Sequence, residues 1–200
     1  MTQKMRVPCK RVLILVMSMA LLCFISNCAT KPPDFVAPGF TSAQVDMLCV
    51  LPVLDHRVDQ SKQLKLDEWV LPIAERNLEK KGYIYSIQRD PSLVEAISRD
   101  TLEAATPEWI ASIEPQASRY ILMLVLEDSS SKLTFGSTGS AELSGYLFDK
   151  QSRSLVWRNK ELARLGQGGL IGMAMKSTME RSAIEQATIQ MLRTFPSRKK

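Results

Sequence analysis

The sequence predicts an α/β domain, with an α+β arrangement also open: a mixed sheet of about five strands, packed by helices and followed by a long C-terminal helix. Three observations point there. The apolar runs "MLCVLPVL" (47–54) and "YILMLVL" (120–126) are short, continuous and bounded by polar residues, as in strands buried on both faces. Between them, "LDEWVLPIAERNLEKKG" (66–82) has apolar residues at helical spacing. After them, two strand-like segments joined by "DKQSRS" lead into a helical pattern over 169–195.

The elements follow in order from Val45. The first strand covers "VDMLCVLPVLD", with Pro52 near its end, where a missing N–H costs least. "HRVDQSKQLK" is a polar loop. In the first helix Asp67 and Glu68 stand in the first turn and Lys80 and Lys81 in the last, complementing the macrodipole, and Gly82 supplies the stop. Pro72 predicts either a kink or a later start. "YIYSIQ" reads as a second strand. Leu93, Val94, Ile97 and Leu102 predict a helix after Asp90-Pro91-Ser92, and Pro107 opens another short one. The strand from Tyr120 to Leu126 gives way to a Ser-rich segment, then to "SAELSGYLFD" and the returning strand "LVWRNKELARLG" of a hairpin.

Ahead of this domain the chain changes character. Of 26 basic residues four precede Cys28, with no acid among them, so the remaining 22 nearly balance 21 acids and the net +5 belongs to the leader. No clustered basic face of the kind that binds nucleic acid remains. Val12 to Ile25 is apolar apart from Ser18. As a helix this run spans roughly 21 Å, against about 30 Å for a bilayer core, which favours a cleaved secretory segment over an uncleaved anchor. Residues 29–44, "ATKPPDFVAPGFTSAQ", hold three prolines and read as an extended tether. The expected organisation is thus a signal peptide over 1–27, a flexible tether over 28–44 and a single domain over 45–200.

Ile25-Ser26-Asn27-Cys28 resembles the lipobox of bacterial lipoproteins, an aliphatic residue three before the cysteine followed by small residues. Asn27 stands where that pattern has Gly, Ala or Ser. The resemblance implies cleavage after Asn27, S-diacylglycerol on Cys28 and acylation (typically palmitate) of its new amine. Ala29 in place of Asp implies the outer membrane, with the domain facing the periplasm. Cys23, preceded by bulky Leu22, fits the pattern worse. Cys9 and Cys23 then leave with the leader and Cys28 carries lipid. Cys49 remains, and a small buried hydrophobe in a strand is the expectation for it.

Chemistry is sparse. His56 is the single histidine, which excludes a multi-histidine metal site. Its place at a strand end beside Asp55 leaves open a periplasmic enzyme using that loop, but no G-x-S-x-G, HExxH or CxxC motif accompanies it. We expect no catalytic residue, cofactor or metal. "GQGGLIG" (166–172) fits neither the Walker A nor the dinucleotide template: Met173 follows Gly172 where a lysine is needed, and Ile171 stands where the third Gly or Ala belongs. Its glycines read as a strand-to-helix link. Alternatively, Gly168 and Gly172 with the Met175, Met179 and Met191 stripe form a packing face for a second copy.

"DMLCVLPVLDHRVD", "AELSGYLFDKQSRSLVWRNKELA" and the glycine-rich run before the last helix resemble small envelope lipoproteins of the curli-assembly type, the lipoprotein activators of peptidoglycan synthases and related lipoproteins. Ser or Arg replaces the glycine that these families carry in the hairpin turn. The resemblance implies a fold and a compartment, and a non-enzymatic accessory or assembly component with envelope protein partners. A self-associating subunit of an export or transport complex is the alternative.

Overall fold

The computed structural model describes residues 32–134, 136–168 and 176–198. Among the described residues are seven strands and four α-helices: β1 (Phe35–Val36), β2 (Leu48–Val50), β3 (Leu54–Asp55), α1 (Leu66–Lys81), β4 (Tyr85–Ile87), α2 (Arg99–Ala104), α3 (Pro107–Ser112), β5 (Tyr120–Thr134), β6 (Gly136–Asp149), β7 (Ser154–Gly168) and α4 (Lys176–Arg193). One mixed sheet runs β1-β7-β6-β5-β2-β4, with β3 also on β5. β2 and β3 lie parallel to β5, and β4 parallel to β2. β5, β6 and β7 form an antiparallel ribbon of 14- and 15-residue strands. The α/β fold with a mixed sheet and a C-terminal helix is as expected.

The parallel part is sealed on both faces. Leu48, Val50, Tyr120, Leu122, Leu124 and Leu126 point to one side, against Val70, Leu71, Ala74 and Leu78 of α1 and Ala183, Ile184, Ala187 and Met191 of α4. Cys49, Leu51, Ile121, Met123 and Val125 point to the other, against Leu102 of α2 and Ile110 of α3. The strand period of two thus sends consecutive apolar residues to two different cores, which is why these runs are continuous. Cys49 is a fully buried free thiol, as expected.

The strand count exceeds five for two reasons. Pro52 has no N–H to donate, and the single strand expected over 45–55 divides there, with its pairing to β5 shifting by one residue between Val50 and Leu54. Within residues 32–44, read from the sequence as part of a flexible tether, Asp34 to Ala37 instead join the edge of the sheet. Phe35 and Val36 pair with Arg158 and Trp157, the Asp34 carboxylate accepts the Lys160 N–H at 2.9 Å, and the compact unit begins at Pro32. The helix expected over 90–106 is also broken. Asp90 caps a 3-10 turn through the Ser92 N–H, and Ser98 starts α2 afresh by accepting the Thr101 N–H.

α1 runs unbroken through Pro72 from Leu66 and ends at Gly82, whose φ of 81° is the left-handed cap conformation that glycine adopts without cost. The strand expected to end at Leu126 continues through the serines to Thr134, across a bulge between Leu126 and Asp128. α4 covers the ribbon on one side only. There a Cβ on Gly139 would stand 2.3 Å from the Met179 carbonyl oxygen, so the helix backbone rests directly on the strand.

Candidate functional site

On the face of the ribbon turned away from α4, residues meet across the three strands in successive rows. They are Met123–Tyr146–Arg158, Val125–Ser144–Lys160, Asp128–Glu142–Leu162, Ser130–Ser140–Arg164 and Lys132–Thr138–Gly166. The helices α2 and α3 pack on the first row and on Val125 of the second. Trp109 of α3 meets Phe148 edge-on at 5.4 Å, and Phe148 stacks on Tyr146. Burial there pushes the Tyr146 phenol above its ordinary pKa. Beyond these rings no helix among the described residues covers this face.

A concavity of about 620 Å³ begins at that point, floored by Ser144, Glu142 and Asp128 and walled by Arg99, Arg158 and Lys160. A shallower one of about 490 Å³ continues along Ser130, Ser140, Thr138, Lys132 and Arg164. Two ion pairs stiffen the first, Arg99–Glu127 at 3.1 Å and Lys160–Glu142 at 3.2 Å. Arg99 also donates to the His56 carbonyl at 2.9 Å, tying α2 to the loop after β3. Arg158 and Arg164 carry no ion pair among the described residues. The surface is one of alternating charges and hydroxyls, suited to polar contact with another molecule. Among the described residues no group of His, Cys, Asp and Glu could hold a metal ion.

Asp55 and His56 sit beside this trough and are committed elsewhere. Arg57, itself 5% exposed, grips the Asp55 carboxylate through Nε at 2.8 Å and Nη2 at 2.7 Å. The His56 backbone N–H continues the β3–β5 ladder to the Leu126 carbonyl. Its Nε2 lies 3.0 Å from the Ile97 carbonyl oxygen and so donates the proton. Nδ1, the atom left to act as a base, is buried with no partner. The two side chains therefore hold the loop; they do not face a common substrate position.

Of the stripe read as a face for a second copy, Met179 and Met191 belong to the core. Met179 and Met191 are buried against the ribbon, and the Met191 sulfur lies where a Cβ on Gly145 would come within 2.9 Å of it. A methionine spacing of four marks the buried side of a helix as readily as a partner face, and here the sheet takes that side. Gly168 ends β7 opposite Gly136. Gly172 and Met175 lie outside the described residues, as do Asn27 and Cys28. Among the described residues no helix is long and apolar enough to cross a membrane. The trough itself went unread in the sequence, although the alternation in "SKLTFGSTGSAELSG" carries its signal: a charged, hydroxyl or glycine residue at every second position from Lys132 to Ser144, where a doubly buried strand would have apolar ones.

No family model and no curated protein matches the chain. Solved structures similar to it include bacterial lipoproteins. One is a lipoprotein from Neisseria meningitidis, 16% identical, with 68% of this chain and 97% of that chain covered and a TM-score of 0.43. A PelC dodecamer from Paraburkholderia phytofirmans is 15% identical over 80% of this chain and 95% of that one, with a TM-score of 0.41. The C-terminal domain of LpoB from Salmonella enterica is 17% identical over 66% and 88%, with a TM-score of 0.36.

Proposed function

We propose that this chain is a lipid-anchored, periplasm-facing protein of the outer membrane that serves as a non-enzymatic accessory or assembly component of an envelope complex. The leader ending at Ile25-Ser26-Asn27-Cys28 supplies the address. The observation that carries the contact role is the open ribbon face. Among the described residues, helices pack the parallel half of the sheet on both faces and the ribbon on one, whereas the other ribbon face offers Asp128, Glu142, Ser140 and Lys132 to solvent along two continuous depressions. A partner of mixed charge, contacting by hydrogen bonds and ion pairs across a rigid sheet, fits such a surface.

Photo-crosslinking in the bacterial envelope tests this reading. A crosslinking side chain at Ser140 or Glu142 of the full chain captures a discrete protein, and one at Glu108 on α3 does not. Equal capture at the two places, or none from the ribbon, refutes a contact role for this face. Mass spectrometry of the mature N-terminus tests the address; retention of Met1 or an unmodified Cys28 defeats it. His56→Ala leaves function intact when its fold is intact, and a folded but inactive variant would restore the enzymatic alternative.

A further inference from the structure

Because β1 is part of the sheet, the stretch between Cys28 and the folded domain is far shorter than a tether over 28–44 would give. Five residues lie between Cys28 and Asp34, and whatever path those six Cα steps take they span at most about 22 Å. Asp34 is pinned to the Lys160 N–H, Phe35 and Val36 are paired with β7, and Ala37 donates to the Val156 carbonyl at 2.9 Å. The sheet from β1 to β4 is six strands wide, which at about 4.8 Å per step puts the β4 edge some 24 Å away before side chains are counted. An anchor on Cys28 therefore holds the β1–β7 edge within about 22 Å of the bilayer, a bound that the β4 edge, a full sheet width farther along, does not share.

The composition of that near edge fits the place. Phe35, Val36 and Leu162 are exposed to 36%, 41% and 46%. Exposed Arg158 and Arg164 stand on the same face of the same strand as Leu162, with the Glu142-paired Lys160 between Arg158 and Leu162, and the two arginines carry no ion pair among the described residues. The backbone points the same way. Arg158 and Lys160 turn their N–H groups toward β1, so by strand parity Leu162, Arg164 and Gly166 turn theirs outward, beyond the point where β1 ends. Groups of that kind are satisfied by water and phosphate oxygens and not by hydrocarbon, which sets the depth at the headgroups. We infer that the β1–β7 edge lies against the phospholipid leaflet holding the anchor, with Phe35, Val36 and Leu162 at headgroup level and Arg158 and Arg164 facing lipid phosphates. This rests on the acylation of Cys28 proposed above. Such an edge is also shielded from pairing with strands of other chains, the hazard of a long unpaired β-strand.

The test uses the full lipidated chain in vesicles of phosphatidylethanolamine with a minority of phosphatidylglycerol. A fluorophore is placed on Leu162→Cys or, in a parallel sample, on Ile84→Cys beside β4. Cys49 is fully buried and takes no label. A quencher on the lipid headgroup quenches the label at 162 at least about twofold more than that at 84, as interfacial depth requires. The joint substitution Arg158→Glu and Arg164→Glu reduces that difference. N-terminal mass on the same sample separates the outcomes. An acylated Cys28 with equal quenching at the two sites overturns the orientation and leaves the anchor standing; an unmodified Cys28 overturns both. Repeating the measurement with Arg164→Cys covers a failure of the Leu162 variant to fold.

Discussion

The two halves of this sheet solve the same packing problem differently. In the parallel half, β2, β3 and β4 lie under α1 on one side and α2 and α3 on the other, and Leu48, Cys49, Val50 and Leu51 are all fully buried. In the ribbon half α4 covers one face, so buried Ala141, Leu143 and Ala163 alternate with Glu142, Ser140 and Arg164. β5 belongs to both halves, and its sequence changes from "YILMLVL" to "EDSSSK" at the bulge between Leu126 and Asp128. The difference teaches where function can reside. A sheet with two apolar faces is consumed by its own core, whereas one with a single apolar face keeps the other for contact.

The largest effects are expected where the ribbon meets α4. Trp157 is wholly buried there, edge-on to Phe195 at 4.8 Å, and faces the α4 side of Gly145. Trp157→Ala removes the largest side chain of that core and is expected to cost about 3–5 kcal/mol in denaturant unfolding. Gly139→Ala comes next. Its added methyl meets the Met179 backbone, which cannot rotate aside as a side chain can, and a loss of about 1–3 kcal/mol follows from the forced shift of α4. A neutral result for Gly139→Ala would mean that α4 does not sit on the ribbon this closely, and the contrast between the two faces would fail.

Acid sharpens the same contrast. Burial alone would raise the pKa of Glu180, but hydrogen bonds from Lys62 and Ser129, reinforced by the Lys62 charge, outweigh it and hold the carboxyl below its ordinary value. Asp149 behaves likewise: burial opposes, while the Arg119 fork and the Gln151 N–H prevail. Each group binds its proton more tightly in the unfolded chain. The stability it contributes is therefore present above its unfolded pKa of about 4 and lost as pH falls through the lower folded value. Glu180 joins the Lys62 loop to Ser129 beneath the start of α4. Hydrogen exchange on acidification should accordingly show ribbon amides near Ser129 losing protection before those of β2. Uniform loss across the sheet would show that the halves open together, and Glu180→Gln should flatten the local acid response.

Much of the fold was legible because burial writes itself into sequence. "YILMLVL" is apolar at every position since both its faces are covered, and the α1 stripe with Gly82 behind it reads directly. What escaped was decided by single side chains acting at a distance. Nothing local to "PPDFV" announces that Asp34 will find the Lys160 N–H or that Phe35 will pair with Arg158, more than a hundred residues on. The methionine spacing of α4 was clear, but a buried stripe and a partner stripe look alike until the sheet beneath is known. The candidate site was hidden for the opposite reason. Serines and threonines read as loop, and the ladder that makes them a strand depends on the partner strands.

The smallest effect is the most telling for the open face. Ser140→Ala removes one hydroxyl, which lies 2.9 Å from the Ser130 hydroxyl in the neighbouring strand. Were this pair sealed like the polar groups under α4, Ser130 would be left without a partner and the cost would approach that of a buried unsatisfied group, about 1–3 kcal/mol. On a face that no helix among the described residues covers, water replaces the lost partner, and the change should stay within about 0.5 kcal/mol. Denaturant unfolding of the purified protein measures it, with Gly139→Ala, one residue away and pointing to the other face, as the internal contrast. A large loss for Ser140→Ala would mean that another layer, such as a second copy of the chain, covers the trough. A small loss together with reduced crosslinking from the ribbon separates contact from stability at this surface: the hydroxyl would then matter to what binds there and not to the strand that carries it.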